Sequence, residues 1–310
     1  MTRVIALFAD KGIPLIPYKG TTFAKVYYDN WGLRESTDID FLVVKADVPK
    51  IQEIIYKEGY QSPPLFHYCT LAYQLKNIPS FDVNNDSDTK RNFHLEFHYH
   101  IINKDFAVDI DNSCFTSEHA TLSIGDKNIA ILTHESHCEI ILTHHGLDDI
   151  WIALKYYLDL AMMSKKAGEV NWEKVLSFCR ENGYYNNACT GFKNMELLLG
   201  ISNPVKDHRA DEKLSEQILD ICLQHDRYKY KYLKKTWLRI MSRDGLKWRV
   251  KMIWRLFFVR VLRPKDLDFK FIALPDILYP LYYILKPFRI FYKYVIGPLL
   301  FNKKDNKIFR

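Results

Sequence analysis

The sequence predicts an α/β fold of mixed α+β character over about residues 1–125, followed by a helical remainder. Three observations carry this. A Lys19-Gly20-Thr21 turn separates a short apolar strand from a helix. Two carboxylates one residue apart, Asp38 and Asp40, open a β-branched apolar run. Phe93 to His100 alternates without a break, and from about Thr133 the pattern becomes helical and stays so to about Gly200.

The elements follow in order. Residues 3–11 read as an amphipathic helix with Val4, Leu7 and Phe8 on one side and Gly12 as its stop. Pro14 to Tyr18 reads as a strand, and the Lys19-Gly20-Thr21-Thr22 turn feeds a helix through Tyr28. Gly20 permits close backbone approach, and the free N–H groups of a helix start can hold a phosphate. Thr37 to Val44 is the next strand. Asp47 caps a helix from Pro49 to Glu58, with Gly59 after its end. Residues 65–76 read as a further strand, and Asp82 to Asp88 as a polar loop. Pro204 and the charged run at 206–213 read as a linker. The expected organisation is a first domain at 1–125, a helical domain at 126–205 and a basic, aromatic-rich helical region at 206–310.

The chain has 310 residues, 48% of them hydrophobic and 26% charged, which suits a folded protein rather than a disordered one. Its six cysteines (Cys69, Cys114, Cys138, Cys179, Cys189, Cys222) contain no C-x-x-C pair. This speaks against a disulfide framework and a cysteine zinc site, and for a reducing, cytoplasmic setting. The first residues carry Arg3, Asp10 and Lys11 and no long apolar run, so no signal peptide is expected. Charge is unevenly divided. Residues 227–310 hold 22 basic and 5 acidic side chains, while the rest hold 22 basic and 32 acidic. The same 84 residues carry 19 aromatics, and Lys247 to Leu262 reads as an amphipathic helix with Trp248, Trp254, Phe257 and Phe258 between basic residues. Three readings of this region stand: a helical core with a basic surface, a segment lying on an anionic membrane at its inner face, and, less favoured, a nucleic-acid contact. Its longest stretch without a basic residue, Phe271 to Leu285, holds Asp276 and two prolines and falls short of the ~20 apolar residues that a spanning helix needs.

Side chains alternate along a strand, so Asp38 and Asp40 point to one face roughly 6–7 Å apart, with Ile39, Phe41 and Val43 on the other. Two like charges aimed at one point repel unless a cation lies between them. Magnesium takes oxygen ligands and completes its shell with substrate phosphates. On the later strand, His94, Glu96, His98 and His100 share a face. That face admits a second reading as a zinc site, against the favoured one in which Glu96 is a magnesium ligand and His98 its neighbour or a substrate contact.

These residues resemble the nucleotidyltransferases of the DNA polymerase β superfamily: a Gly-hydroxyl turn at Gly20-Thr21, an Asp-x-Asp strand at Asp38/Asp40 and a third acidic residue at Glu96. The match is closer to the uncharacterised bacterial nucleotidyltransferase family found beside polysaccharide-synthesis genes. It rests on Lys19-Gly20, Arg34/Asp38/Asp40, Glu96/His98, His145/Trp151/Asp159-Leu160-Ala161 and Pro287/Arg289. The resemblance implies a mixed sheet bearing the Asp-x-Asp strand, followed by a helical domain. It also implies transfer of a nucleoside monophosphate from a nucleoside triphosphate, ATP among the candidates, to a hydroxyl acceptor, in a glycan or polysaccharide setting.

Asp38, Asp40 and Glu96 would hold two magnesium ions, with manganese as the alternative, paired ~3.5–4 Å apart to stabilise the attacking and leaving oxygens. Glu96 would also help to deprotonate the acceptor. Gly20, Thr21 and Thr22 would donate to the triphosphate, and Lys19 or Arg34 would neutralise the leaving pyrophosphate. Lys155 and Asp159 are candidate substrate contacts, set against a packing or capping role. Arg34 admits a bland reading as a salt-bridge partner of Glu35 or Asp38. Two rival functions remain: an inactive nucleotide-binding scaffold at the membrane, and an RNA-modifying or toxin-like nucleotidyltransferase guided by the basic region.

Overall fold

A computed structural model describes residues 1–62, 71–84, 94–110, 112–205, 210–224 and 232–292. In chain order the first elements are α1 (Thr2–Ala9), β1 (Ile16–Pro17), α2 (Gly20–Tyr28), β2 (Ile39–Leu42), α3 (Val48–Lys57), α4 (Leu71–Asn77), β3 (Ser80–Asn84) and β4 (His94–His98). The four strands form one mixed sheet in the order β1-β2-β4-β3, with β2 parallel to β4 and the outer pairs antiparallel.

The register explains which face is core. Phe41, Phe97 and Phe81 lie opposite one another on β2, β4 and β3, and their rings stack at 5.6 and 4.9 Å between centroids. Cross-strand aromatic pairs of this kind hold strands in register. Val4 and Phe8 of α1 and Ile51 and Ile55 of α3 close over that row. One residue along each strand, and therefore on the opposite face, Asp40, Glu96 and Asp82 form a second row. A one-residue slip would bury all three carboxylates in the aromatic core, so the hydrophobic pattern fixes where the acids point.

The chain continues through α5 (Ser113–Thr116) and a hairpin, β5 (His119–Ile124) and β6 (Lys127–Leu132), which the sequence reading leaves out. The helices α6 (His134–Ile141), α7 (Leu154–Ser164), α8 (Trp172–Glu181) and α9 (Tyr185–Leu199) follow. They bury the largest apolar cluster, which also takes in Phe23 and Tyr27 of α2. Between α6 and α7 runs a π-helical segment, Leu142–Asp148, after which Ile150 and Trp151 adopt φ of 51° and 55°. Trp151 is fully buried there, with its indole N–H donating to Asn187. The remaining helices are α10 (Glu212–Leu223), α11 (Tyr232–Met241), α12 (Gly245–Val261), α13 (Asp266–Phe271) and α14 (Tyr282–Phe291).

Several expectations are corrected. The strand expected at 65–76 is helix α4 over its described part; residues 63–70 lie outside the described residues. Leu71, Tyr73 and Leu75 alternate like a strand, but Leu71 and Leu75 also stand four apart, and it is this pair that packs on the sheet core while Tyr73 turns to Phe269. The loop expected from Asp82 is strand β3 as far as Asn84, because Phe81 and Val83 are fully buried; residues 85–93 are not among those described. Strand β2 is shorter than Thr37 to Val44, so Asp40 lies within it and Asp38 immediately before it. Asp47 precedes α3 without a side-chain capping bond. The helices expected at 3–11, after Gly20 and at 247–262 are present within a residue or two at most ends.

Candidate active site

The row Asp40–Glu96 opens into a cavity of about 490 Å³. Its walls come from the start of α2 (Lys19, Gly20), the approach to β2 (Arg34 to Asp38), β4 (Glu96, His98), the π-helical segment (His144, His145) and the start of α7 (Lys155, Tyr156). Gly20 has φ +53°, and a Cβ there would lie 2.6 Å from the Ser36 hydroxyl and 3.1 Å from the Asp38 carbonyl oxygen. Only glycine meets both conditions at low cost, and it lets the α2 N-terminus sit against the Asp38 backbone. The N-cap residue of α2 is Lys19, whose side chain makes no capping bond. Lys19 instead reaches across the cavity, with its Nζ 2.7 Å from His144 Nε2.

The carboxylates divide into two environments. Asp40, Glu96 and His98 each offer one ligand atom, all within 4.8 Å of one another. His98 Nε2 lies 2.9 Å from Asp40 Oδ1 and 3.3 Å from Glu96 Oε1, and the Ser80 hydroxyl donates to Glu96 at 2.6 Å. Burial pushes Glu96 up, but His98, Ser80 and Lys19 outweigh it and hold the carboxyl down at about 2. Burial likewise opposes ionisation of Asp40, and Lys19 and the His98 hydrogen bond overcome it. His98 is fully buried, which favours its neutral form, yet Glu96 and Asp40 raise its pKa above the ordinary value. Asp38 stands apart from this trio. It lies before the strand, so the alternation does not aim it, and the Ser36 hydroxyl holds its Oδ1 at 3.3 Å. Burial and the charges of Asp40 and Glu96 raise its pKa. Two carboxylates and an imidazole at this separation, with a third carboxylate on the same cavity wall, are a donor set that fits a divalent cation.

The other sequence candidates distribute as follows. Lys19, Gly20, Arg34 and Lys155 line the cavity. Thr21 and Thr22 do not line it; Thr22 is buried, with its hydroxyl donating to Met1 Sδ at 3.2 Å. Asp159 is also buried and off the cavity wall. It accepts from Arg34 Nε at 2.9 Å and Nη2 at 3.0 Å and from the Tyr28 hydroxyl at 2.9 Å, and its Oδ2 lies 3.0 Å from His145 Nε2. Arg34 therefore pairs with Asp159, neither with Glu35 nor with Asp38, and Asp159 is the buried anchor that orients Arg34 and His145. His94 bonds Asn84 and His100 reaches the Leu75 carbonyl, so of the four-residue face considered for zinc only Glu96 and His98 converge. Asp82, which the sequence reading put in a loop, continues the acidic row beside Glu96. Burial and Glu96 raise its pKa.

The arrangement brings a helix start, a lysine and converging carboxylates to one polar cavity, the equipment for holding a polyanion through a cation. A search of the curated proteins finds no match to the chain. A family model does match it, over residues 1–200, the span that contains every wall of this cavity; on that evidence the chain belongs to the uncharacterised nucleotidyltransferase family.

Proposed function

We propose that this cavity moves a nucleoside monophosphate from a nucleoside triphosphate to a hydroxyl acceptor. The observation that carries the reading is the pairing of Asp40 and Glu96 through His98 on the wall of a cavity that Asp38, the α2 N-terminus and Lys19 also line. In this reading Asp40 and Glu96 hold the divalent cation, magnesium or manganese, with Asp38 facing the same space and His98 fixing both ligands. The cation, when bound, supplies charge neutralisation for the triphosphate and the leaving pyrophosphate. The backbone N–H groups at the start of α2 receive the phosphates, and Lys19 and Arg34 offset further negative charge. The acceptor oxygen bonds to the α-phosphorus and the bond from that phosphorus to the β-bridging oxygen breaks. Pyrophosphate leaves, and the hydroxyl proton passes to a cavity carboxylate.

Lys155, on the cavity wall, offers a cationic donor, with its Nζ 5.5 Å over the Tyr156 ring, which itself packs against His145 at 4.4 Å between centroids. A donor held in this way suits a hydroxyl-rich acceptor such as a sugar, in keeping with a glycan setting. The test is pyrophosphate release by the full chain with each of the four ribonucleoside triphosphates, magnesium and a panel of sugar acceptors. Asp40→Asn and Glu96→Gln are expected to lower turnover by roughly 10²–10⁴ with circular dichroism unchanged. Undiminished turnover in either variant would overturn the assignment. So would tight triphosphate binding without turnover in the parent, which favours a nucleotide-binding scaffold.

A further inference from the structure

The end of the described chain exposes more apolar surface than its fold requires. On α12, Leu246, Val250, Ile253, Trp254 and Phe257 are each at least half exposed, while Met252 is buried. Their spacing, i, i+4, i+7, i+8 and i+11, makes one stripe along the helix. A second exposed set follows on the turn before α14 and on α14 itself: Ile277, Ile284, Phe288 and Phe291. The two helices meet where the Phe258 ring of α12 lies 6.2 Å from the Tyr283 ring of α14. Contiguous apolar patches beyond about 300–600 Å² on a monomer mark a surface that something covers.

The charge on this region selects the covering. Gly245–Val261 contains five basic residues and no acidic one; Lys251 and Arg255 among them pair with Asp109, and 227–310 as a whole carries a net charge of +17. A second copy would bring like charge against like charge. Nucleic acid matches the charge and finds stacking faces at Trp254, Phe257, Phe288 and Phe291, but the aliphatic Leu246, Val250, Ile253, Ile277 and Ile284 set among them offer bases none. An anionic bilayer surface meets both features, accepting aliphatic and aromatic side chains at the acyl boundary and basic ones among the headgroups. No helix among the described residues is long and apolar enough to cross a membrane, so the contact is with the surface.

We propose that α12 and α14 together form a docking face for an anionic lipid bilayer. The face is separate from the cavity and does not depend on the nucleotidyl-transfer reading. It is tested by flotation of the full chain with phosphatidylcholine vesicles, alone and with about one quarter phosphatidylglycerol. Binding is expected with the anionic vesicles, weakly or not at all with phosphatidylcholine, and is expected to fall as salt is raised. Trp254 and Phe288 are each 67% exposed, so replacing them leaves the core intact. The double variant Trp254→Glu, Phe288→Glu is expected to lose at least about tenfold in vesicle affinity, and Trp254→Ala, Phe288→Ala to lose less. Three outcomes would overturn the proposal: no flotation with anionic vesicles, flotation unchanged in the glutamate variant, or a concentration-dependent dimer in vesicle-free sedimentation that the same variant abolishes.

Discussion

Glu139 sits buried on α6 with no counter-charge close enough to offset its burial. Desolvation lifts its carboxyl from the ordinary 4.5 to about 7, against a smaller opposing pull from Lys174. In the unfolded chain the group loses its proton near 4.5, while the folded chain keeps it up to about 7. Between those values the folded state binds more protons, so this group's contribution to stability falls as pH rises through the window. Glu139→Gln removes the penalty. The variant is expected to be more stable than the parent by roughly 1–3 kcal/mol near pH 8, and the difference to vanish near pH 4, read from urea unfolding at the two pH values. A difference that does not change with pH would show that Glu139 is not the titrating group. At this scale the sequence is legible where local geometry dictates the outcome. Strand alternation puts Asp40 and Glu96 each on a polar strand face, and the turn places Lys19-Gly20. Asp159 shows the opposite case: its partner Arg34 lies 125 residues away, and nothing in either neighbourhood announces the pair. The pattern puts Asp38 on the strand as a ligand, but it sits one residue short of it, because the strand starts later than its β-branched run suggests.

The π-helical segment is the element that most needs its neighbours. Leu142–Asp148 carries His144 and His145 to the cavity wall, and it closes with two non-glycine residues at positive φ. Each such residue is strained by about 1 kcal/mol or more. Asn187 of α9 holds the segment by donating to the Gly146 carbonyl at 3.1 Å and accepting from the Trp151 indole at 3.0 Å. A methyl group on Gly146 would overlap the Asn187 side chain. Gly146→Ala is therefore expected to cost about 2–4 kcal/mol and to weaken triphosphate binding as well, since His144 no longer braces Lys19. Denaturant unfolding with calorimetric titration checks both; a stable variant with unchanged affinity would mean that the segment is not a support for the site. The sequence does not mark the π-helix, because Leu142, His145 and Asp149 repeat at spacings that an α-helix serves equally well. A related ambiguity, strand against helix, affects α4, where Leu71, Tyr73 and Leu75 fit both periods. The hairpin β5–β6 carries its own signal, since Ala120, Leu122 and Ile124 alternate with polar residues ahead of the Gly125-Asp126 turn, the pattern of a strand with one half-buried face.

At the scale of the whole chain, the acidic body and the basic end are one structure through side chains of the basic end. Asp244 accepts from the Tyr185 and Asn186 N–H groups at 2.6 and 2.9 Å, capping α9 from 59 residues away. Arg239 binds the Asp148 carbonyl at the end of the π-helical segment, Arg255 pairs with Asp109 and Arg263 with Asp105. Leu238, Ile240 and Met252 are buried in the same cluster as Tyr184, Phe192 and Phe23. The family model ends at residue 200, but the core does not. Elements that share one apolar cluster open together, so the described helices beyond residue 232 are expected to unfold with the body in a single calorimetric transition. Asp244→Ala leaves two N–H groups of the α9 start without their acceptor and is expected to cost about 1–2 kcal/mol, which moves that transition down by roughly 2–4 °C without splitting it. An early, separate transition that the variant shifts while the main one stays fixed would show that the basic end folds on its own.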